Sequence, residues 1–198
     1  YDFFSVSFES GSQLTTIGDG AFSNSRLIGS ITLPASLTSI GHSCFLGCPT
    51  LTSVSFESGS QLATIGDYAF YECKSLNGVE FGNNIERIGG NAFSRLGCKS
   101  SHLRIPPLVT TLPRCMVAHF SKCLFSIEIP EGISRVEFCA LTSLGSLRNV
   151  AFPTDCSISV NVLHICPQLR QVLGVKDEDG VGSEGLNVIN ALKHRFDN

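Results

Sequence analysis

The chain has 198 residues, 42% of them hydrophobic and only 16% charged, with 14 basic and 17 acidic side chains giving a net charge of -3. No cluster of Lys and Arg supplies a grip on nucleic acid or on an anionic membrane surface, and no apolar run approaches the length of a membrane-spanning helix. A core is affordable, and the surface must be covered largely by Ser, Thr, Gly and Asn.

From the first residues the chain repeats itself. Apolar-x-apolar pairs fall at Val6/Phe8, Ile31/Leu33, Val54/Phe56, Val79/Phe81, Leu103/Ile105, Ile127/Ile129 and Val150/Phe152, at intervals of 25, 23, 25, 24, 24 and 23 residues. A period in the twenties predicts one short strand and one turn-and-return per unit, stacked so that each unit buries its apolar face against the next. Alternation places Val54 and Phe56 inward and Ser53, Ser55 and Glu57 outward, with stacked units pairing into a parallel sheet.

The first and third units share a turn, Glu9-Ser10-Gly11-Ser12-Gln13 and Glu57-Ser58-Gly59-Ser60-Gln61. It adds two residues between the strand and the following Ile, nine from Phe8 to Ile17 against seven from Leu33 to Ile40, so length variation goes to a surface turn. Gly follows the Ile at Gly18, Gly41, Gly66 and Gly89, as expected for a positive φ or a close approach to the next coil; Pro113 and Glu137 take its place later. Ala21-Phe22, Cys44-Phe45, Ala69-Phe70 and Ala92-Phe93 then pair a small residue with a ring.

Cysteine recurs three residues after a large apolar side chain, in Phe45-x-x-Cys48, Phe70-x-x-Cys73, Phe120-x-x-Cys123 and Leu163-x-x-Cys166, with Cys98 displaced by two. Such a position reads as a buried free thiol filling the core. The odd total of nine cysteines and the lack of an Asn-x-Ser/Thr sequon favour a reducing intracellular compartment, with the cell surface as the alternative. Tyr1 already lies within a repeat, so a signal segment or earlier repeats are expected candidates to precede it. Between Leu112 and Phe120 three extra residues predict a bulged coil, and Leu169-x-x-Val172 resembles an eighth strand.

The strings Leu-x-x-Val-x-Phe, Leu-x-x-Ile-Gly-x-x-Ala-Phe and x-x-Cys-x-x-Leu resemble the BspA-like leucine-rich repeat over about residues 1–175. The resemblance implies an α/β-type repeat solenoid, with short parallel strands on its concave face and non-catalytic protein recognition as its usual role. Residues 176–198 are expected to add an acidic, Gly-rich loop and a C-terminal capping helix, with Leu186, Ile189, Leu192 and Phe196 on one helix face and Ser183 as N-cap. That helix covers the open end of the sheet.

No enzyme is legible. Gly180-Val-Gly-Ser-Glu-Gly185 fits a phosphate-cradle spacing, but Asp177, Glu178 and Asp179 oppose an anion there, and Val181 and Val188 stand where a calcium loop needs oxygen ligands. His42, His102, His119, His164 and His194 do not converge with cysteine at metal-ligand spacing. No cofactor or metal is expected. The candidate protein-binding face is Ser53, Ser55, Glu57, Glu80, His102, Arg104, Ser126, Glu128 and Asn149, small polar positions interrupted mainly by His102 and Arg104. Three functions follow in order: an interaction or scaffolding module, a cell-surface adhesion or recognition ectodomain, and a purely structural subunit. A solvated face without a specific ligand is the plain alternative to all three.

Overall fold

A computed structural model describes residues 4–27, 29–78, 80–97, 99–119, 123–153, 155–159 and 161–169. The expected capping helix, acidic loop and eighth strand lie outside the described residues. Twelve strands lie among the described residues: β1 (Thr16–Ile17), β2 (Gly29–Leu33), β3 (Ser39–Ile40), β4 (Leu51–Phe56), β5 (Thr64–Ile65), β6 (Arg87–Ile88), β7 (His102–Arg104), β8 (Thr111–Leu112), β9 (Ser126–Glu128), β10 (Arg135–Val136), β11 (Asn149–Val150) and β12 (Ser157–Ile158). All of their pairings are parallel.

The expectation of one strand per unit is corrected to two. The apolar-x-apolar pairs form one set of ladders, β2-β4 and β7-β9-β11, while the residues around the repeated Ile form a second, β1-β3-β5-β6 and β8-β10-β12. The second strand is only two residues long, too short for alternation to reveal it in the sequence. Val6 and Phe8 pack against the core without forming a named strand.

The inward positions are as the alternation predicts. Ile31, Leu33, Leu103, Ile105, Ile127 and Val150 are buried, and Val54, Phe56, Ile129 and Phe152 pack against them. The rings of Phe22, Phe45, Phe70 and Phe93 form a continuous stack, with centroids 5.1, 5.2 and 5.4 Å apart and planes within 12° of parallel. Each stacked pair contributes about 0.5–1.5 kcal/mol beyond the burial of its area.

A third set of backbone bonds runs through the turn after each Ile. Phe22, Phe45, Phe70, Phe93, Val117 and Leu141 donate their N–H to Cys44, Ala69, Ala92, Met116, Ala140 and Val162 of the next coil. This fixes the register and corrects the expected bulge. Val117, five residues after Leu112, takes the ring position just as Phe22 does five after Ile17, so no residues are inserted between Leu112 and that slot. The string Phe120-x-x-Cys123 imitates the motif three residues out of register, and Cys123 is exposed rather than buried.

Two residues flanking each ring position adopt the left-handed backbone. They are Gly20, Ser43, Tyr68, Asn91, Cys115, Cys139 and Asn161 on one side, and Asn24, Gly47, Glu72, Arg95, His119, Ser143 and Ile165 on the other, with φ from 50 to 64°. Such a conformation costs an L-residue about 1–2 kcal/mol, most of all a β-branched one such as Ile165. It persists because it turns alternate N–H groups toward the neighbouring coil, as in Gly20 to His42 and Asn24 to Leu46.

Of the two reasons expected for Gly after Ile, close approach operates at Gly41, Gly66 and Gly89, and it is to the preceding coil rather than the next; Gly18 meets nothing within 4 Å. None of Gly18, Gly41, Gly66 and Gly89 has a positive φ, but a Cβ on Gly66 would lie 2.6 Å from both the carbonyl carbon of Gly41 and the nitrogen of His42. Replacement Gly66→Ala is expected to cost about 1–3 kcal/mol through overpacking, whereas Gly78→Ala meets nothing within 4 Å and should leave stability unchanged or slightly raised. Thermal or denaturant unfolding of the two variants separates the cases; equal loss in both would contradict the close-approach account.

Candidate functional site

Both ladders are interrupted near the middle of the chain. In the Ile ladder, Gly41, Gly66 and Gly89 donate N–H to Ile17, Ile40 and Ile65, at 2.8, 2.9 and 2.8 Å. The next residue in that series is Pro113, which has no N–H to offer the carbonyl of Ile88. The series then resumes with Glu137 bonded to Leu112 at 2.9 Å. Because Glu137 carries a side chain and still bonds, the missing donor, rather than the ring's bulk, separates β6 from β8. A polar cleft of about 500 Å³ opens there, lined by Glu86, Arg87, Thr110, Thr111, Arg114 and Glu137 among others.

Among the described residues the apolar-x-apolar ladder does not continue from β4 to β7. Gly78, Glu80 and Phe81 lie in neither strand, and the Phe81 ring turns edge-on to Phe93 with centroids 5.0 Å apart. Val54 and Phe56 are left half-buried beside the gap. On the outer surface the gap is a second cleft of about 510 Å³, bounded by Asn77, Glu80, Phe81, His102, Arg104 and Pro106 among others.

The structure divides the sequence-predicted face at this point. Ser53, Ser55 and Glu57 lie on or beside β4, where the Ser55 hydroxyl is 3.0 Å from that of Thr32. One oxygen of Glu57 accepts the N–H of Ala35 at 2.9 Å, so this carboxylate also ties down the preceding turn. On the other side, His102, Ser126 and Asn149 form one row across β7, β9 and β11, and Arg104 pairs with Glu128 in the next. Nδ1 of His102 is 2.7 Å from Oγ of Ser126. Its Nε2 lies 3.5 Å from one oxygen of Glu128, and Nε of Arg104 lies 3.5 Å from the other.

These charges are exposed, and exposed pairs hold each other by no more than about 1 kcal/mol. They can therefore exchange partners. Glu80, on the opposite lip of the cleft, makes no hydrogen bond or ion pair among the described residues. Glu80 and Arg104 thus place both signs of charge at one opening, with His102 beside them and Glu128 behind them on β9. The polar cleft at Pro113 was missed in the sequence, although its signal was present: a Pro standing where Gly recurs.

The thiols do different work. Cys48, Cys73 and Cys166 donate S–H to the carbonyls of Phe22, Phe45 and Leu141, at 3.0, 3.1 and 3.4 Å. They are buried, as the repeat position predicts; Cys98 lies outside the described residues. Burial pushes the Cys44 thiol up to about 12 and the Cys166 thiol up to about 11, and the hydrogen bond with Cys48, together with burial, raises Cys73. The thiolate is the reactive form. Native alkylation at pH 8 should therefore label Cys123 rapidly and leave Cys44, Cys73 and Cys166 intact until denaturant is added. Peptide mass mapping reads this, and rapid native labelling of Cys44 or Cys166 would contradict the packing.

Coils with parallel strand ladders, a stacked core ring and turns of variable length define a leucine-rich repeat solenoid. The chain belongs to the BspA-type leucine-rich repeat family, whose model matches in six copies over residues 3–119 and 97–176. No curated protein matches it. Among solved structures it is similar to a leucine-rich cell surface protein from Faecalibacterium prausnitzii A2-165, at 23% identity and a TM-score of 0.74 over 83% of this chain and 46% of that one. It is also similar to the T. pallidum leucine-rich repeat protein, at 25% identity and a TM-score of 0.66 over 89% and 85% of the two chains. A leucine-rich repeat protein from Bacteroides ovatus ATCC 8483 shares the fold at 19% identity and a TM-score of 0.56, over 78% of this chain and 47% of that one. The chain thus spans less than half the length of the Faecalibacterium protein. Leucine-rich repeat proteins are typically non-catalytic and generally mediate protein interactions.

Proposed function

We propose that the chain is a non-catalytic interaction module that docks a partner protein on the β7-β9-β11 face and the cleft beside it. The observation that carries this reading is the exposed group of Glu80, His102 and Arg104 around an opening of about 510 Å³, with Glu128 held against His102 and Arg104 from β9. Its weakly held charges supply directional recognition, and Phe81 with the exposed Pro107 supplies apolar surface beside them. Ser126 and Asn149 extend the contact along the row, while Ser53, Ser55 and Glu57 form its outlying part across the break.

The test is capture from the native source with the wild-type chain, a His102→Ala/Arg104→Glu variant and an Arg135→Glu control on the other ladder. A partner retained by wild type and control but lost at least ~10-fold by the double variant supports the docking face. Equal retention by all three contradicts it.

A second reading, a recognition ectodomain at the cell surface, is favoured by the similarity to a protein described as a leucine-rich cell surface protein. Labelling of intact cells with a membrane-impermeant reagent separates it from an intracellular scaffold: labelled protein supports the surface reading, and labelling only after lysis removes it.

A further inference from the structure

Cys115 and Cys139 occupy the same left-handed turn position in successive coils, with φ of 50 and 55°. The bonds from Cys115 N–H to Phe138 O at 3.4 Å and from Val117 N–H to Ala140 O at 3.3 Å bracket Cys139. The two backbones therefore run side by side at about the ladder spacing of 4.8 Å, and a disulfide spans Cα atoms roughly 4.4–6.8 Å apart. Similar φ at the same register sends both Cα–Cβ bonds the same way, so the thiols are neighbours and Cys115 acts on Cys139 electrostatically; the Cβ atoms then lie about 4.8 Å apart, and the two coils must close by a few tenths of an ångström to reach the roughly 3.5–4.5 Å of a relaxed disulfide. Both are half-exposed.

Cys48 and Cys73 share another register but differ in the two respects that matter. They are buried, and their thiols hydrogen-bond to each other as well as to backbone carbonyls. The pair at 115 and 139 is open to a water-borne reagent and has no such carbonyl bond among the described residues. Cys123 is more exposed than either.

We propose that Cys115 and Cys139 are a redox-modifiable pair, closed to an inter-coil disulfide by a disulfide oxidant of the glutathione type. One thiolate attacks oxidised glutathione, breaking its S–S bond, forming a mixed disulfide and releasing one reduced glutathione. The second thiolate attacks the protein sulfur of that mixed disulfide, forming the Cys115–Cys139 bond and releasing the second glutathione. The two thiol protons leave with the two products, so the protein loses two hydrogens and the oxidant gains them. The bond ties together two coils just beyond the Pro113 break and shortens the unfolded chain's accessible loop, which raises stability.

The purified full chain is incubated with oxidised glutathione, quenched by alkylation and digested without reductant, and cross-linked peptides are identified by mass. The expected result is a dominant peptide pair joining Cys115 to Cys139 and a rise in Tm of ~5 °C. The rise disappears in Cys115→Ser and in Cys139→Ser, and is retained in Cys123→Ser. Dominant linkage through Cys123, arrest of both thiols as glutathione adducts, or absence of modification at either residue overturns the proposal.

Discussion

The whole structure depends on backbone hydrogen bonding between successive coils. Strands of two residues have no stability alone, and parallel pairs a few residues long gain little from pairing in isolation. Here successive coils are held at up to three places, the apolar-x-apolar strand, the Ile strand and the turn that follows it, with the turn bonds continuing where the strand ladders are interrupted. The turn bonds require two left-handed residues per coil, and the chain accepts that conformation even at Tyr68 and Ile165. The core then follows, since fixed coil spacing brings the rings of Phe22, Phe45, Phe70 and Phe93 into face-to-face contact.

Where this bonding fails, surface features appear. Pro113 removes one donor, and a polar cleft opens between the two halves of the Ile ladder. Gly78, Glu80 and Phe81 lie outside the other ladder, and a cleft lies between them and His102 and Arg104. A regular solenoid surface offers one small-residue row after another with little to distinguish them. The breaks supply depth, mixed charge and exposed apolar surface in one place, which is why the candidate docking region lies beside a break.

Much of this was legible in the sequence. The intervals between Val6/Phe8 and Val150/Phe152 gave the architecture, and alternation correctly divided inward Ile31 and Leu33 from outward Ser53 and Ser55. Cys48, Cys73 and Cys166 were correctly read as buried. The second ladder was not legible, because a two-residue strand has no periodicity to detect, and the left-handed turns were hidden because Tyr, Glu, Arg and Ile carry no signature of positive φ. The Phe120-x-x-Cys123 string misled for a related reason: register is set by the five-residue step from Leu112 to Val117, which preserves backbone bonds, rather than by the look of a motif. The candidate face reads as one in the sequence, and its separation into two groups was not legible, since it follows from an interruption of the ladder among the described residues that only the fold displays.

The central claim is that the inter-coil ladder keeps one register through the fifth coil while skipping the bonds around Pro113. Residue-resolved native hydrogen exchange tests it most directly. The account predicts strong protection at the amides of Phe70, Phe93, Val117 and Leu141, with faster exchange at Thr110 and Thr111 beside the cleft than at the equivalent Ala63 and Thr64. Weak protection at Val117, or protection of Thr110 and Thr111 equal to that of Ala63 and Thr64, would contradict it.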